Sequence, residues 1–371
     1  MIYVDNAATT ALDIDAFEAM KPYLLKEYGN ASQPYSFARP AKKALAVARK
    51  TIADCIGAQP EEIFFTSGGT ESDNWAIKGT LQYGDGRAIL TSQIEHYAIL
   101  NACAAVERLG YPVAYLSVDK KGVVTPATLN KVITDNTKLV SVMLVNNEIG
   151  TIEPINELAE IAHKHGALFH TDAVQAIGHI PVNVDVLGID MLSASAHKFN
   201  GPKGIGFLYV RKGTDIRSFA DGGAQEFGMR AGTENVASIV AMAKALRKNC
   251  AHIDETESRL RKMENSLIQA LDEAGIDFIR NGADDHVPGN VRISIKNVSG
   301  KMLLHRLDLK GICISTGSAC DSVNTQISHV IQAIAVPVEY AEGTIRISFG
   351  RDNRESDAQE IADAIVSILK K

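Results

Sequence analysis

The chain has 371 residues, 46% hydrophobic and 22% charged, with a formal net charge of −6. That composition suits a globular protein with one large domain or two unequal ones, and its acidic balance argues against a nucleic-acid-binding surface. No apolar run approaches the roughly 20 residues of a membrane span, and the start shows no signal-peptide pattern, so a cytoplasmic protein with no nucleic-acid or membrane partner is expected.

The polar segment Asp5–Thr10 reads as a loop leading into a helix capped near Asp13. Residues Pro34–Ile56, rich in Ala, Lys and Arg, read as one long helix. Ile63–Thr66 is a predicted strand that runs into Ser67-Gly68-Gly69-Thr70-Glu71-Ser72 and then a helix to about Gln82. A strand, a glycine turn and a helix start gather free N–H groups and a positive dipole end, which suits a phosphate; a plain helix cap at Ser67 or Thr70 is the other reading. No Gly-x-x-x-x-Gly-Lys-Ser/Thr occurs, so a nucleotide P-loop is excluded.

The alternation continues with strands at Ala88–Thr91 and Val113–Ser117 around a helix at Tyr97–Leu109. Thr125-Pro126 reads as a cap followed by proline at the first helical position. Lys138–Val145 is a β-rich run ending in Asn146-Asn147-Glu148, and Ile155, Leu158, Ala159 and Ala162 share one helix face. Ala167–Thr171 is a strand that stops at Asp172, and a strand from Met191 ends in Ser195, His197 and Lys198 before a glycine-rich loop. This pattern predicts an α/β fold, with a mostly parallel sheet between helices. Ligands of such sheets gather beyond the carboxyl ends of the strands. The polar clusters Ser67–Thr70, Glu95–His96, Asn146–Asn147, Asp172–Gln175 and Ser195–Lys198 all follow candidate strands and would build one site.

After a hairpin-like Gly204–Arg211, two helices carry the stripes Val236, Ile239, Val240, Ala243, Leu246 and Leu260, Met263, Leu267, Leu271. From about Gly275 the texture becomes α+β: Asn290–Lys296 and Gly343–Phe349 alternate, Ser299–Leu309 is helical, and Ser356 with Gln359 reads as a capping box for a last helix. The last helix has the stripe Ile361, Ile365, Ile368, Leu369. The expected division is a large domain over 15–250 and a smaller one over 251–371 that carries a Cys loop, with 1–14 joining the small domain.

Several residues bear chemistry, each with a bland alternative. Lys198 closes an apolar strand; burial would lower its pKa and free its amine to hold pyridoxal 5'-phosphate (PLP), or it is an ordinary loop-edge lysine. Asp172 and Gln175 stand at a strand end, where a carboxylate can keep a pyridine nitrogen protonated or cap a helix. His96 can stack on a ring or serve as a structural hydrogen-bonder. Arg346, inside an alternating strand, can clamp a carboxylate or form an ion pair. Cys320 lies in the small polar loop Ser315–Ser322, a nucleophile candidate or a merely exposed thiol. The five cysteines include no Cys-x-x-Cys, and His163 and His165 do not face one another, so neither a disulfide framework nor a metal site is expected.

Six segments occur in one order: Asp5-Asn6-Ala7-Ala8-Thr9-Thr10, Thr66 to Asn74, Asn146-Asn147-Glu148-Ile149-Gly150, His170 to Gln175, Ser195-Ala196-His197-Lys198 and Arg230 to Asn235. Together they resemble the cysteine desulfurases, PLP enzymes of the class V aminotransferase family with the fold type I architecture, over essentially the whole chain. The loop Thr316-Gly317-Ser318-Ala319-Cys320 looks like that of the long-loop subgroup, which feeds iron–sulfur assembly and tRNA thiolation.

The resemblance implies roles. Lys198 holds PLP as a Schiff base and shuttles protons. Asp172 pairs with the pyridine nitrogen, Gln175 contacts the phenolic oxygen and His96 stacks on the ring. Gly69, Thr70, Ser195 and His197 lie at the phosphate, with Thr233 reaching in from the other subunit of a homodimer. Asn147 and Arg346 hold the carboxylate of L-cysteine. Cys320 takes the sulfur as a persulfide, alanine leaves, and the sulfur passes to an acceptor protein, an iron–sulfur scaffold or a tRNA-thiolating enzyme. Asn30-Ala31-Ser32-Gln33 and Tyr35 depart from the family pattern near the site entrance. A selenocysteine lyase or aminotransferase on the same scaffold, and a non-catalytic PLP-binding protein, are the rival readings.

Overall fold

The computed structural model describes residues 1–81, 86–317 and 327–370. In chain order the elements are β1 (Ile2–Tyr3), α1 (Ile14–Leu25), α2 (Arg39–Ile56), β2 (Ile63–Thr66), α3 (Gly69–Gly79), β3 (Ala88–Ser92), α4 (Tyr97–Glu107) and β4 (Val113–Leu116). Then come α5 (Pro126–Val132), β5 (Thr137–Ser141), α6 (Ile155–Lys164), β6 (Leu168–Asp172), α7 (Val184–Leu187), β7 (Met191–Ser195), β8 (Gly206–Val210), α8 (Val236–Cys250) and α9 (Ile253–Glu273). The remainder is β9 (Phe278–Arg280), β10 (Asn290–Ile295), α10 (Gly300–Asp308), β11 (Ile312–Cys313), α11 (His329–Ala333), α12 (Val338–Ala341), β12 (Thr344–Ser348) and α13 (Glu355–Leu369).

Among the described residues a seven-stranded sheet has the order β2-β8-β7-β6-β5-β3-β4. Its strands run one way except β8, which is antiparallel to both β7 and β2. Side chains of a strand alternate between faces, and here they divide between two cores. Phe65, Leu90, Val140, Phe169 and Leu192 pack with α2, α6 and α8 on one face. Their chain neighbours Phe64, Ile89, Leu139, Leu168 and Met191 pack around Trp75, Ile99 and Cys103 of α3 and α4 on the other. Both faces are covered, so β5, β7 and β8 are buried along their whole length.

A third core joins Ile2 and Val4 to α9, α10, α13 and the antiparallel sheet β12-β10-β9. The first residues reach it by parallel pairing of β1 with β11, and Asp5 then bridges to Ser348 at the end of β12.

Three sequence expectations shift. The helix expected from Pro34 begins at Arg39, after a 3₁₀ turn at Ser36–Ala38. Pro40 has no N–H and fits the first turn but not an interior one, so the α-helix cannot extend back through it. The capping box sits at Arg354 and Asp357, whose carboxylate accepts the Arg354 N–H at 3.0 Å, rather than at Ser356 and Gln359. Helix α3 stops at Gly79; Gln82 lies outside the described residues.

Asp13 binds three parts of the chain together. It caps α1 by accepting from Asp15 and Ala16, takes a 2.9 Å bond from Lys248 at the end of α8, and pairs with Arg351 beyond β12. Burial raises the carboxyl's pKa, but the two cations outweigh burial and hold it at about 2. A depressed carboxyl stabilises the fold above its unfolded pKa, near 4, and loses that contribution as pH falls toward 2. Asp13→Asn is therefore expected to lower unfolding stability at pH 7 by about 2 kcal/mol, from a weakened cap and lost charge-assisted bonds. The deficit should shrink in urea titrations at pH 3.

Candidate active site

Five strand ends converge. Ser195–Lys198 follow β7, Asp172–Gln175 end β6, Asn146–Asn147 lie beyond β5, Glu95–His96 beyond β3, and Ser67–Thr70 beyond β2. Gly69, Thr70, His96, Asn147, Asp172, Gln175, Ser195, His197, Lys198 and Arg346 line one cavity of about 230 Å³, with Ala7, Ala8, Asp73, Met143 and Val174.

Lys198 ends a 3₁₀ turn that follows buried β7 directly, so its side chain leaves the sheet edge into the cavity. Its Nζ donates to the carbonyls of Ala7, at 2.6 Å, and Ala8, at 2.9 Å. Gln175 donates to the Ala7 carbonyl as well, at 2.9 Å. His197 shares a 3.0 Å bond with the Thr9 hydroxyl; burial first, and then the charges of Lys198 and Lys203, push its pKa down to about 4, so it is neutral at pH 7.

One end of the cavity is built for an anion. Gly68 is the N-cap of α3 at φ 148°, with no side-chain capping hydrogen bond, so neither Ser67 nor Thr70 caps the helix. A Cβ on Gly69 would lie 2.7 Å from Val174 Cγ2, so only a bare glycine fits where the start of α3 lines the cavity. A Cβ on Gly206 would meet the Ala194 carbonyl at 2.3 Å and Gly68 Cα at 2.7 Å; this bare glycine lets β8 bring the turn against β7. Ser67, Thr70, Ser195, His197 and Lys203 line the adjoining opening. A helix N-terminus with hydroxyls and a lysine beside it favours a phosphate-like group.

The opposite end is acidic. One carboxylate oxygen of Asp73, one of Asp172 and a ring nitrogen of His96 lie within 4.8 Å of one another. Burial, followed by the Asp172 charge, raises the Asp73 pKa well above its ordinary value. Asp172 is also raised by burial, while His96, the Val174 N–H and Lys198 pull it back down. Behind them Glu95, which accepts from Ser92 at 2.6 Å and from the Met143 N–H at 3.0 Å, is pushed up to about 8, chiefly by burial.

The third wall carries Arg346, 1% exposed in β12, whose guanidinium donates to the Asn147 carbonyl at 2.7 Å and to Asp5 at 2.8 Å. Its Nε is buried without a partner. Directly opposite Arg346 in register is Arg292, paired with Glu148 at 2.9 Å with both side chains 0% exposed. Arg292 also donates to the Thr316 carbonyl at 3.0 Å, and Ser328 donates to Glu148 at 2.8 Å. One buried ion pair thus holds the chain on both sides of residues 318–326.

Thr233 is exposed and does not line the cavity, and Cys320 lies outside the described residues. Sequence reasoning assigned no role to Asp73 or to Glu148 and Arg292. Asp73 did leave a trace, an acid between Ser72 and Trp75 on a helix face that is otherwise buried.

The aminotransferase class V family model matches residues 2–361. A cysteine desulfurase IscS from Dictyoglomus turgidum is 47% identical over 100% of this chain and 95% of its own length. One from Methanosarcina thermophila is 46% identical over 100% and 92%. A solved NifS-like protein superposes with a TM-score of 0.94 at 36% identity, covering 100% of this chain and 99% of the other. A structure described as SspA in complex with cysteine gives 0.84 at 34% identity, covering 94% and 99%.

The Glu148–Arg292 pair yields a stability test. Removing one partner leaves the other charge buried and unpaired, so Arg292→Met should cost about 3–5 kcal/mol in urea unfolding. The double variant with Glu148→Gln should recover a substantial part of that loss.

Proposed function

The chain belongs to the class V aminotransferase family, among its cysteine desulfurases, and from that premise we propose that it binds PLP, converts L-cysteine to L-alanine and passes on the sulfur. The observation that carries this reading is the meeting of Lys198, Asp172 and Arg346 in one cavity. The cavity's features fit the cofactor. Its acidic cluster suits a protonated ring nitrogen, the N-terminus of α3 at Gly69 suits a phosphate, and the Lys198 amine lines the same cavity. PLP supplies an aldehyde that condenses with amines and a ring that accepts electrons from the substrate Cα.

In this reading Asp172 holds the ring nitrogen, Gln175 the phenolic oxygen, and Gly69, Thr70, Ser195 and His197 the phosphate. Neutral His197 has one N–H to donate and adds no cation. His96 covers the ring. Arg346, steadied by Asp5 and the Asn147 carbonyl, offers its guanidinium to the substrate carboxylate, and Asn147 lies beside it. Lys198 Nζ carries protons to and from the substrate carbon. The Cys320 thiolate attacks the substrate sulfur; the S–S bond forms as the Cβ–S bond breaks, and alanine leaves. Glu148 and Arg292 anchor both stems of the segment that bears Cys320.

The reading extends to assembly. A second copy of the chain brings Thr233 to the phosphate, consistent with the exposure of Thr233 here. The sulfur acceptor is an iron–sulfur scaffold or a tRNA-thiolating enzyme. The proposed domains are 15–250 and 251–371 with residues 1–14 added to the second, supported by the core in which Ile2 and Val4 pack with Leu260 and Ile361.

Purified protein supplied with PLP and L-cysteine should release alanine, and Cys320→Ser should abolish sulfide release. Arg346→Ala should raise KM for cysteine about 10–100-fold, the worth of a charge-assisted hydrogen bond. Absence of alanine from a PLP-loaded protein would overturn the reading.

A further inference from the structure

Asp73 is the acid that the chemistry above leaves unused. It is 1% exposed, and its Oδ1 is buried with no hydrogen-bond partner. It lines the cavity beside Asp172, with an oxygen of each carboxyl and a His96 nitrogen within 4.8 Å of one another.

A buried chain of hydrogen bonds leads to it. The Ser141 hydroxyl meets His170 Nδ1 at 2.9 Å, His170 Nε2 meets the Ser193 hydroxyl at 2.9 Å, and Ser193 bonds the Asp73 carboxyl. Ser141, His170 and Ser193 are each 0% exposed. His170 is pushed down to about 3 by burial and is therefore neutral, with one N–H to give. A consistent direction runs from the Ser141 O–H to Nδ1, from Nε2–H to Ser193 Oγ, and from the Ser193 O–H to Asp73. The chain ends on an acceptor, so a proton on Asp73 is free to point elsewhere.

Burial and the two neighbouring acids favour that proton, and His96, the base within 4.8 Å, accepts the Ala98 N–H at Nδ1. Asp172 at the end of β6 and Glu95 beyond β3 are acidic. His170 on β6, 3.9 Å away, is neutral, and Ser193 on β7 is uncharged; its donated hydrogen bond pulls the Asp73 pKa down, by less than burial and Asp172 push it up. Of the basic groups near the pair, His96 and Lys198 lower the pKa of Asp172. Two carboxylates this close in a dry site cannot both ionise at low cost, and the one nearer the cations takes the charge.

We propose that Asp73 is a positioning residue: a neutral carboxylic acid fixed by the Ser141–His170–Ser193 chain, it donates toward Asp172 and keeps that carboxylate ionised and oriented for the ring nitrogen of the cofactor. The inference deepens the PLP reading of this cavity and rests on it. Asp73→Asn keeps a donor in place, whereas Asp73→Ala removes it.

Two measurements test the proposal. In the first, urea unfolding of the full chain without cofactor is compared for wild type and Asp73→Asn between pH 5 and pH 8. A carboxyl whose folded pKa lies above its unfolded one loses stability as pH rises through that interval. The unfolding constant of wild type relative to Asp73→Asn should therefore climb, by up to about 10-fold per pH unit. In the second, the PLP-loaded protein is diluted and cofactor release is followed by its visible absorbance. Release should be about 10-fold faster in Asp73→Ala, and within about 3-fold of wild type in Asp73→Asn. A pH-independent ratio in the first measurement overturns the neutral acid. Unaltered release from Asp73→Ala overturns its action on Asp172. Failure of the wild type to bind PLP overturns the cofactor reading instead, while the urea comparison still reports on the Asp73 proton. If Asp73→Ala does not fold, Asp73→Asn must still meet both expectations.

Discussion

The amine of Lys198 rests on the carbonyl oxygens of Ala7 and Ala8, and this contact ties the first ten residues to the end of the main sheet. The same short segment is held from both sides. Thr10 bonds the His197 carbonyl and receives the Asn200 N–H, while Asn6 and Ala7 bond Ser348 at the end of β12. Asp5 steadies Arg346 at the same junction. The N-terminal strand therefore forms a seam between two cores, and the cavity opens along it. Backbone carbonyls thus satisfy part of the hydrogen-bonding of the Lys198 ammonium.

The site concentrates ionisable groups that a core would ordinarily exclude. Asp73, Glu95, Asp172, Arg292 and Arg346 are all at most 4% exposed. Each unpaired member destabilises the fold, so the surrounding layers must supply the stability. They do so with two apolar cores on the faces of one sheet, built from alternating residues of the same strands. The polar ends of those strands then face one edge, where burial and neighbouring charges act on one another: His197 is kept neutral, Asp73 and Asp172 are both raised by burial, and Lys198 and the Val174 N–H offset part of that rise at Asp172. Placement at strand ends and control of charge are thus two results of one topology.

Much of this was legible in the chain. The strand that ends at Asp172, the strand that ends before Lys198 and the turn after Thr66 were readable because apolar runs stopped abruptly at small or polar residues. Their convergence followed from the alternation of strands and helices. Pairwise partners were less legible. The two-residue strand β1 pairs with β11, about 310 positions away, and neither carries enough alternation to be seen alone. Glu148 meets Arg292 and Asp73 meets Asp172 through tertiary packing that no local pattern encodes. The capping box slipped because Ser356 and Gln359 have the right spacing, yet Arg354 and Asp357 lie where the chain turns into α13.

The central claim is that one lysine carries the cofactor at the end of β7. Borohydride reduction of the PLP-loaded protein, followed by peptide mass mapping, locates the modified amine directly. The account predicts a pyridoxyl group on the peptide containing Lys198 and its disappearance in Lys198→Ala. A stable adduct on a different lysine, or none on a protein that holds PLP, would contradict it.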